Sequence, residues 1–238
     1  MSNNEKKLET SFNGKNLKIE TGKIAKKANG SILLKHGKLV ILATVTINTE
    51  KQSDIPYVPL SVSYLEKDYS RGLITGSYIK RENPGTLHQI IISRIIDRPI
   101  RPLFPSEYRN ETIVECYLLS NDPAILPDTM VISAVSTALC ISEAPYSTPM
   151  AGVRVCKKNN EYIINPDFLT LKDSDFQIFV AGTQSGITMI ECEGNNANKQ
   201  DIITATDIAQ KNIIKLIDIQ QEFISKTTIK NKIYVDNN

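Results

Sequence analysis

Alternating apolar and polar positions dominate the first third of the chain. Leu17 to Glu20 alternates, and Ser31 to Lys35 and Leu39 to Thr46 are apolar or β-branched runs separated by His36-Gly37-Lys38. That arrangement predicts a hairpin with His36 in its turn. Tyr57 to Tyr64 alternates again, and Pro56 and Pro59 mark it as an edge or irregular strand. Glu66 to Asn83 has no period and is rich in glycine and charge, so it reads as a long loop of the kind that carries function. The period then becomes helical, with Leu87, Ile90, Ile91, Ile92, Ile95 and Ile96 as apolar positions and Pro99 as the stop. A strand over Thr112 to Leu119 precedes a helix from Pro127-Asp128 to about Ile141. Asp128 is its expected N-cap, and Ser133, Ala134 and Ala138 permit close packing. Met150 to Cys156 and Tyr162 to Ile164 predict a second hairpin, and Phe176 to Ala181 and Ile187 to Cys192 a third strand pair. A long helix follows from about Asp201 to Ser225, with Ala205, Ala209, Ile213, Leu216 and Ile217 on its apolar stripe. Strands in blocks with helices between the blocks predict an α+β fold.

Chemistry concentrates at the end of the first predicted helix. Ser93-Arg94-Ile95-Ile96-Asp97-Arg98-Pro99-Ile100-Arg101-Pro102 puts Arg94 and Arg98 on one helix face and Arg101 just past the proline. Three guanidinium groups at a helix C-terminus suit phosphate, because each is a planar, permanent multiple donor and the helix dipole favours cations there. The plainer reading is a surface ion pair, with Asp97 holding Arg94 or Arg101. Net charge does not decide between them. Lys and Arg total 28 against 26 Asp and Glu, so nucleic-acid binding must come from a local patch. The four cysteines are scattered without metal-ligand spacing and predict buried free thiols in a reducing compartment. His36 and His88 have no nucleophilic partner at a recognisable spacing. No signal segment or membrane span is legible, which gives a cytoplasmic expectation.

The arginine–proline run has company: Gly76-Ser77-Tyr78-Ile79-Lys80-Arg81-Glu82 upstream, and Ser120-Asn121-Asp122-Pro123 and Val180-Ala181-Gly182-Thr183 downstream. Together these resemble the bacterial polynucleotide phosphorylases, the polyribonucleotide nucleotidyltransferases, and within them the first of two RNase PH-type core domains. The resemblance runs from about Leu8 to Lys226. It implies an RNase PH-type fold of the ribosomal protein S5 domain 2-like group, with mixed sheets flanked by helices. One domain is expected over residues 8–228, with polar, flexible tails at 1–7 and 229–238. The implied activity is phosphorolysis of RNA from its 3′ end with release of nucleoside diphosphates. Single-stranded RNA and inorganic phosphate are the implied partners, a homotrimer the implied assembly, and Mg²⁺ the implied cofactor of the complete enzyme.

Carried over residue by residue, the resemblance assigns RNA contact to Tyr78, Lys80, Arg81, Arg94, Arg98 and Arg101. Tyr78 keeps a stacking ring, Ile79 loses a second one, and Lys80 keeps charge without the arginine fork. The acidic catalytic site is not carried over. Asp175 stands where the family has its second aspartate, but Leu169 occupies the first aspartate position and Gln177 the lysine position. One carboxylate holds magnesium weakly. No catalytic residue and no metal ligand is therefore assigned to this chain. Asp173 could join Asp175 only if the chain were extended there. Two other readings stand beside the leading one: an inactive RNA-binding or scaffold subunit, and a stand-alone RNase PH-like tRNA exonuclease.

Overall fold

A computed structural model describes residues 5–51, 55–74, 76, 85–194 and 197–233. Among the described residues, ten strands form two sheets. The first contains β1 (Lys6–Phe12), β2 (Lys15–Thr21), β3 (Gly30–His36), β4 (Leu39–Lys51), β5 (Leu60–Glu66) and β6 (Asn110–Ser120), in the order β1-β2-β3-β4-β6-β5. All its pairings are antiparallel except β5 with β6. The second contains β7 (Ala151–Lys158), β8 (Glu161–Ile164), β9 (Phe176–Gly182) and β10 (Ile187–Gly194), antiparallel in the order β10-β9-β7-β8. Four α-helices complete the fold: α1 (Leu87–Ile100), α2 (Pro127–Ile141), α3 (Phe168–Lys172) and α4 (Lys199–Ser225). Short 3-10 turns lie at Asp68–Arg71 and Arg101–Leu103.

The parallel pairing follows from chain order. β5 is joined to β6 through α1, a crossover long enough to bring the chain back in the same direction. β5 lies at the sheet edge, as its flanking prolines predict. α2 is the centre of the molecule. It packs on β3 and β4 of the first sheet and β7 of the second, and it is buried on all sides. Small residues permit that approach. A Cβ on Gly30 would sit 2.3 Å from the Ala138 carbonyl oxygen, so only glycine lets β3 start there. Gly37, at φ +60°, supplies the turn between β3 and β4.

Several expectations need correction. Asp128 does not cap α2; Leu126 holds that position, Pro127 is the first helical residue, and the Asp128 carboxylate is bound to Arg154. Pro99 lies inside α1, one residue before its end. The amide of Arg101 still reaches the Asp97 carbonyl oxygen, so the helix turns once more. His36 is buried at the end of β3, its Nε2 3.1 Å from the Phe12 carbonyl oxygen. Burial holds its pKa below the usual value. Lys6 and Lys7 belong to β1 rather than to a tail. Residues 229–233 are also anchored. The Ile233 amide donates to the Glu143 carbonyl oxygen at 2.8 Å. The Lys232 ammonium lies within hydrogen-bond distance of the carbonyl oxygens of Leu139, Cys140, Ser142 and Tyr146, at 2.7–3.2 Å. It thus satisfies carbonyls that α2 leaves open at its C-terminus. Cys116, Cys140 and Cys156 are buried free thiols, and Cys192 is exposed.

Candidate nucleic-acid interface

α1 starts in a capping box. Thr86 accepts from the Gln89 amide, and the Gln89 side chain accepts from the Thr86 amide. Ile92, Ile95, Ile96 and Ile100 face the core. Ser93 fixes the helix to β5, accepting from the Tyr64 amide at 2.9 Å. Arg94 and Arg98 project on the exposed side. The three arginines then separate. Arg101 is turned back into the protein. Its guanidinium donates to both Asp97 carboxylate oxygens, at 3.1 and 2.6 Å, and to the Val58 and Leu60 carbonyl oxygens, both at 2.8 Å. Four donor contacts to internal acceptors leave little for a phosphate. Asp97 therefore pairs with Arg101 and not with Arg94. Arg98 donates to Glu191 of β10 at 3.0 Å. Arg94 is exposed and has no hydrogen bond or ion pair among the described residues. Tyr78, Lys80 and Arg81 lie outside the described residues.

His88, at the start of α1, has a carboxylate partner that its sequence neighbourhood does not show. His88 Nε2 lies 3.5 Å from Glu66 Oε1, and the same oxygen accepts from the Tyr64 hydroxyl at 2.9 Å. The Glu66 carboxylate raises the His88 pKa, and His88 lowers that of Glu66. A histidine with a raised pKa binds its proton more tightly in the folded state. Its stabilisation is complete below the ordinary value of about 6.5 and fades as pH rises through the folded value. His36 acts in the opposite sense, losing stability as pH falls below about 6.5. His88→Ala should therefore remove a modest stability gain that the parent chain shows on acidification from about pH 8 to about pH 6. Urea midpoints measured across that range check it. Identical slopes in the two proteins would exclude a contribution from this pair.

The acidic position is built differently from a metal site. Asp175 is exposed just before β9, and its amide donates to the Lys157 carbonyl oxygen. Leu169 lies on α3 and is 72% exposed. Asp173 caps the end of α3 and pairs with Lys158 at 3.3 Å, so it is not on an extended segment beside Asp175. Gln177 accepts from Arg154 at 2.5 Å and donates to Glu193 at 2.9 Å. Arg154 in turn is paired with Asp128. The chain Asp128–Arg154–Gln177–Glu193 links the start of α2 to β7, β9 and β10. A magnesium ion needs several convergent hard oxygens. Here Asp128 is already neutralised by a guanidinium, Asp173 is paired with Lys158, Glu193 accepts from Gln177, and Asp175 is left as a single exposed carboxylate. These residues do not fit the ion.

Comparison with known proteins decides the family. The 3′ exoribonuclease family, domain 1, matches residues 13–145, and domain 2 of the same family matches residues 148–212. The break falls between the two sheets. The chain belongs to the 3′ exoribonuclease family. Within this family it resembles the polyribonucleotide nucleotidyltransferase of Persephonella marina, at 41% identity over 97% of this chain and 32% of that protein. That of Brachyspira hyodysenteriae is 44% identical over 90% of this chain and 30% of that protein. The chain thus spans about a third of the length of these curated relatives. Among solved structures, an Archaeoglobus fulgidus exosome with RNA bound to its active site matches with a TM-score of 0.64 at 17% identity. That match covers 90% of this chain and 87% of the exosome chain, and it establishes the shared fold. The α+β, RNase PH-type architecture expected from the sequence is the one observed.

Proposed function

We propose that this chain is the N-terminal core domain of a polyribonucleotide nucleotidyltransferase, and that it contributes RNA binding and ring architecture while the cleavage chemistry belongs to a second core. The observation that carries this is the 41% identity over 97% of the chain to an enzyme of that name about three times as long. The complete enzyme degrades RNA from the 3′ end in the cytoplasm, with inorganic phosphate as co-substrate, Mg²⁺ as cofactor and a homotrimer as its working form. In this reading Arg94 contacts an RNA phosphate, and Tyr78, Lys80 and Arg81 stack a base and follow the backbone. The exosome relative, whose structure holds RNA at its active site, supports RNA as the polymer.

A second reading, an inactive RNA-binding subunit, draws on the Asp128–Arg154–Gln177–Glu193 chain, which fills the acidic position with internal partners. Both readings expect the chain alone to release no ADP from poly(A) in phosphate and Mg²⁺. Leu169→Asp with Gln177→Lys should stay inactive too, because Leu169 is on a separate helix and Arg154 remains held by Asp128. Single-stranded RNA should still bind, with affinity falling steeply as salt rises. Phosphate-dependent ADP release that Asp175→Ala abolishes would overturn this assignment in favour of a stand-alone RNase PH-like exonuclease.

A further inference from the structure

A cavity of about 270 Å³ opens at the β1–β2 end of the first sheet, between the Gly22–Asn29 loop, the end of α2 and the segment that follows α4. We infer that this cavity is a binding site for a phosphate-class anion, formed by Lys6, Lys26 and Lys230 with Thr228. The inference does not rest on the function proposed above.

The whole chain carries a net charge of only +2, yet three lysines line this one cavity and Lys23 and Lys27 lie exposed on the same loop. The opposing acids are few. Glu5 lines the cavity, and Glu143 reaches Lys230 at 3.5 Å in an exposed pair of the kind worth little in water. Glu20, beside the cavity, is already taken by Lys18 and Lys35. The Thr21 and Thr227 hydroxyls donate to the Ser31 and Phe223 carbonyl oxygens, so the three ammonium groups and Thr228 supply the charge and donors that phosphate oxygens need.

Clefts for drug-sized ligands start at about 300 Å³ and are mostly apolar. A smaller cavity with lysine and threonine walls suits a compact, strongly charged group.

The walls are fixed before any ligand arrives. Thr227, Thr228 and Lys230 belong to the segment anchored by the Lys232 ammonium and by the Lys230 amide, which donates to the Ile141 carbonyl oxygen at 3.3 Å. The opposite wall is held by the Ser31 hydroxyl, which donates to the Ile24 carbonyl oxygen, and by Asn29, which accepts from the Ile47 amide. Preorganised walls lower the ordering cost of binding.

The cavity is separate from the arginine helix. Lys6 and Thr21 lie on β1 and β2, while α1 packs on β5 at the other end of the sheet. Five strand spacings separate β1 from β5, roughly 24 Å at about 4.8 Å each. Anionic phosphate oxygens are offered both by free diphosphates and by the phosphodiester backbone of RNA, and titration with each separates these sources.

Calorimetric titration of the 238-residue chain with pyrophosphate, ADP and an oligoadenylate is the experiment, the last in an Arg94→Ala background so that the other end of the sheet does not mask the result. Lys26→Glu with Lys230→Glu should weaken binding at least tenfold, and Lys26→Gln with Lys230→Gln should weaken it less. The melting temperature should hold in both, because both lysines are exposed. Loss for pyrophosphate and ADP, with or without loss for the oligoadenylate, identifies free diphosphates as a ligand of the site. Loss for the oligoadenylate alone identifies the RNA backbone. Unchanged affinity for all three probes in both double variants, or no binding of any probe by the parent chain, overturns the site.

Discussion

Replacing Arg154 by methionine should lower the unfolding free energy by about 3–5 kcal/mol, the range for removing one partner of a buried ion pair. The buried regime applies because the side chains of Arg154 and Asp128 are only 14% and 8% exposed. Without the guanidinium, Asp128 keeps a carboxylate inside the protein with the Thr129 amide as its remaining donor. Gln177 loses the donor to its side-chain oxygen, and Phe179 loses the cation 5.2 Å above its ring. Adding Asp128→Asn to Arg154→Met should recover part of the loss, since no unpaired charge is then buried. Arg154→Lys should fall between parent and methionine, because a single ammonium cannot span Asp128 and Gln177 as the fork does. Urea unfolding of the four proteins measures all of this. A cost below about 1 kcal/mol for Arg154→Met would place the pair in the weak, solvated class instead. The prediction also bears on architecture: Asp128 lies on the central helix and Arg154 on the second sheet, so the pair fastens the two matched family regions to each other.

The elements that were legible from sequence are those whose local pattern matches their burial. β3 and β4 are apolar runs around a glycine turn, and α4 has a clean stripe from Ala205 to Phe223. β1 was missed altogether because only Leu8 and Phe12 of its seven residues are buried, too few to show alternation. α3 was missed because a five-residue helix with Phe168 and Leu169 exposed has no apolar face to read. The site was legible as a set of arginines and not as a set of partners. Asp97 has Arg94 three residues before it and Arg101 four after, and both spacings permit a pair on a continuous helix. The choice falls to Arg101 because its guanidinium also meets the Val58 and Leu60 carbonyl oxygens, which β5 brings alongside. The Asp128–Arg154–Gln177–Glu193 chain and the Lys232 anchor join residues from separate elements, so no window of sequence displays them. The resemblance did flag Gln177, but the departure from lysine said only that a charge was gone, not that an arginine had moved in.

Arg94 and Arg101 should therefore divide cleanly between binding and stability. Arg101→Ala removes four hydrogen bonds from one cation, two of them to an ion-paired carboxylate, one to the first carbonyl of the edge strand and one to the Val58 carbonyl just before it. Hydrogen bonds to charged groups contribute about 1.5–3 kcal/mol each at most, and partial exposure lets water replace some of them, so a net loss of about 2–3 kcal/mol is expected. Arg94→Ala touches no described partner and should change stability by no more than about 0.5 kcal/mol. Its effect should appear in RNA affinity instead. Loss of one phosphate contact is expected to weaken binding about tenfold, about 1.4 kcal/mol, and to reduce the salt slope by about 0.7 for a single strand. Arg94→Lys should recover part of that affinity, keeping the charge but losing the two-pronged geometry. Arg98→Ala should sit between the two, because its partner Glu191 is itself exposed and the pair contributes about 0–1 kcal/mol. Melting temperature and fluorescence anisotropy with a labelled oligoadenylate, run on the same preparations, give both readouts. If Arg101→Ala loses RNA affinity while keeping its melting temperature, the guanidinium leaves its internal partners to reach RNA, and the division drawn here between the two arginines is wrong.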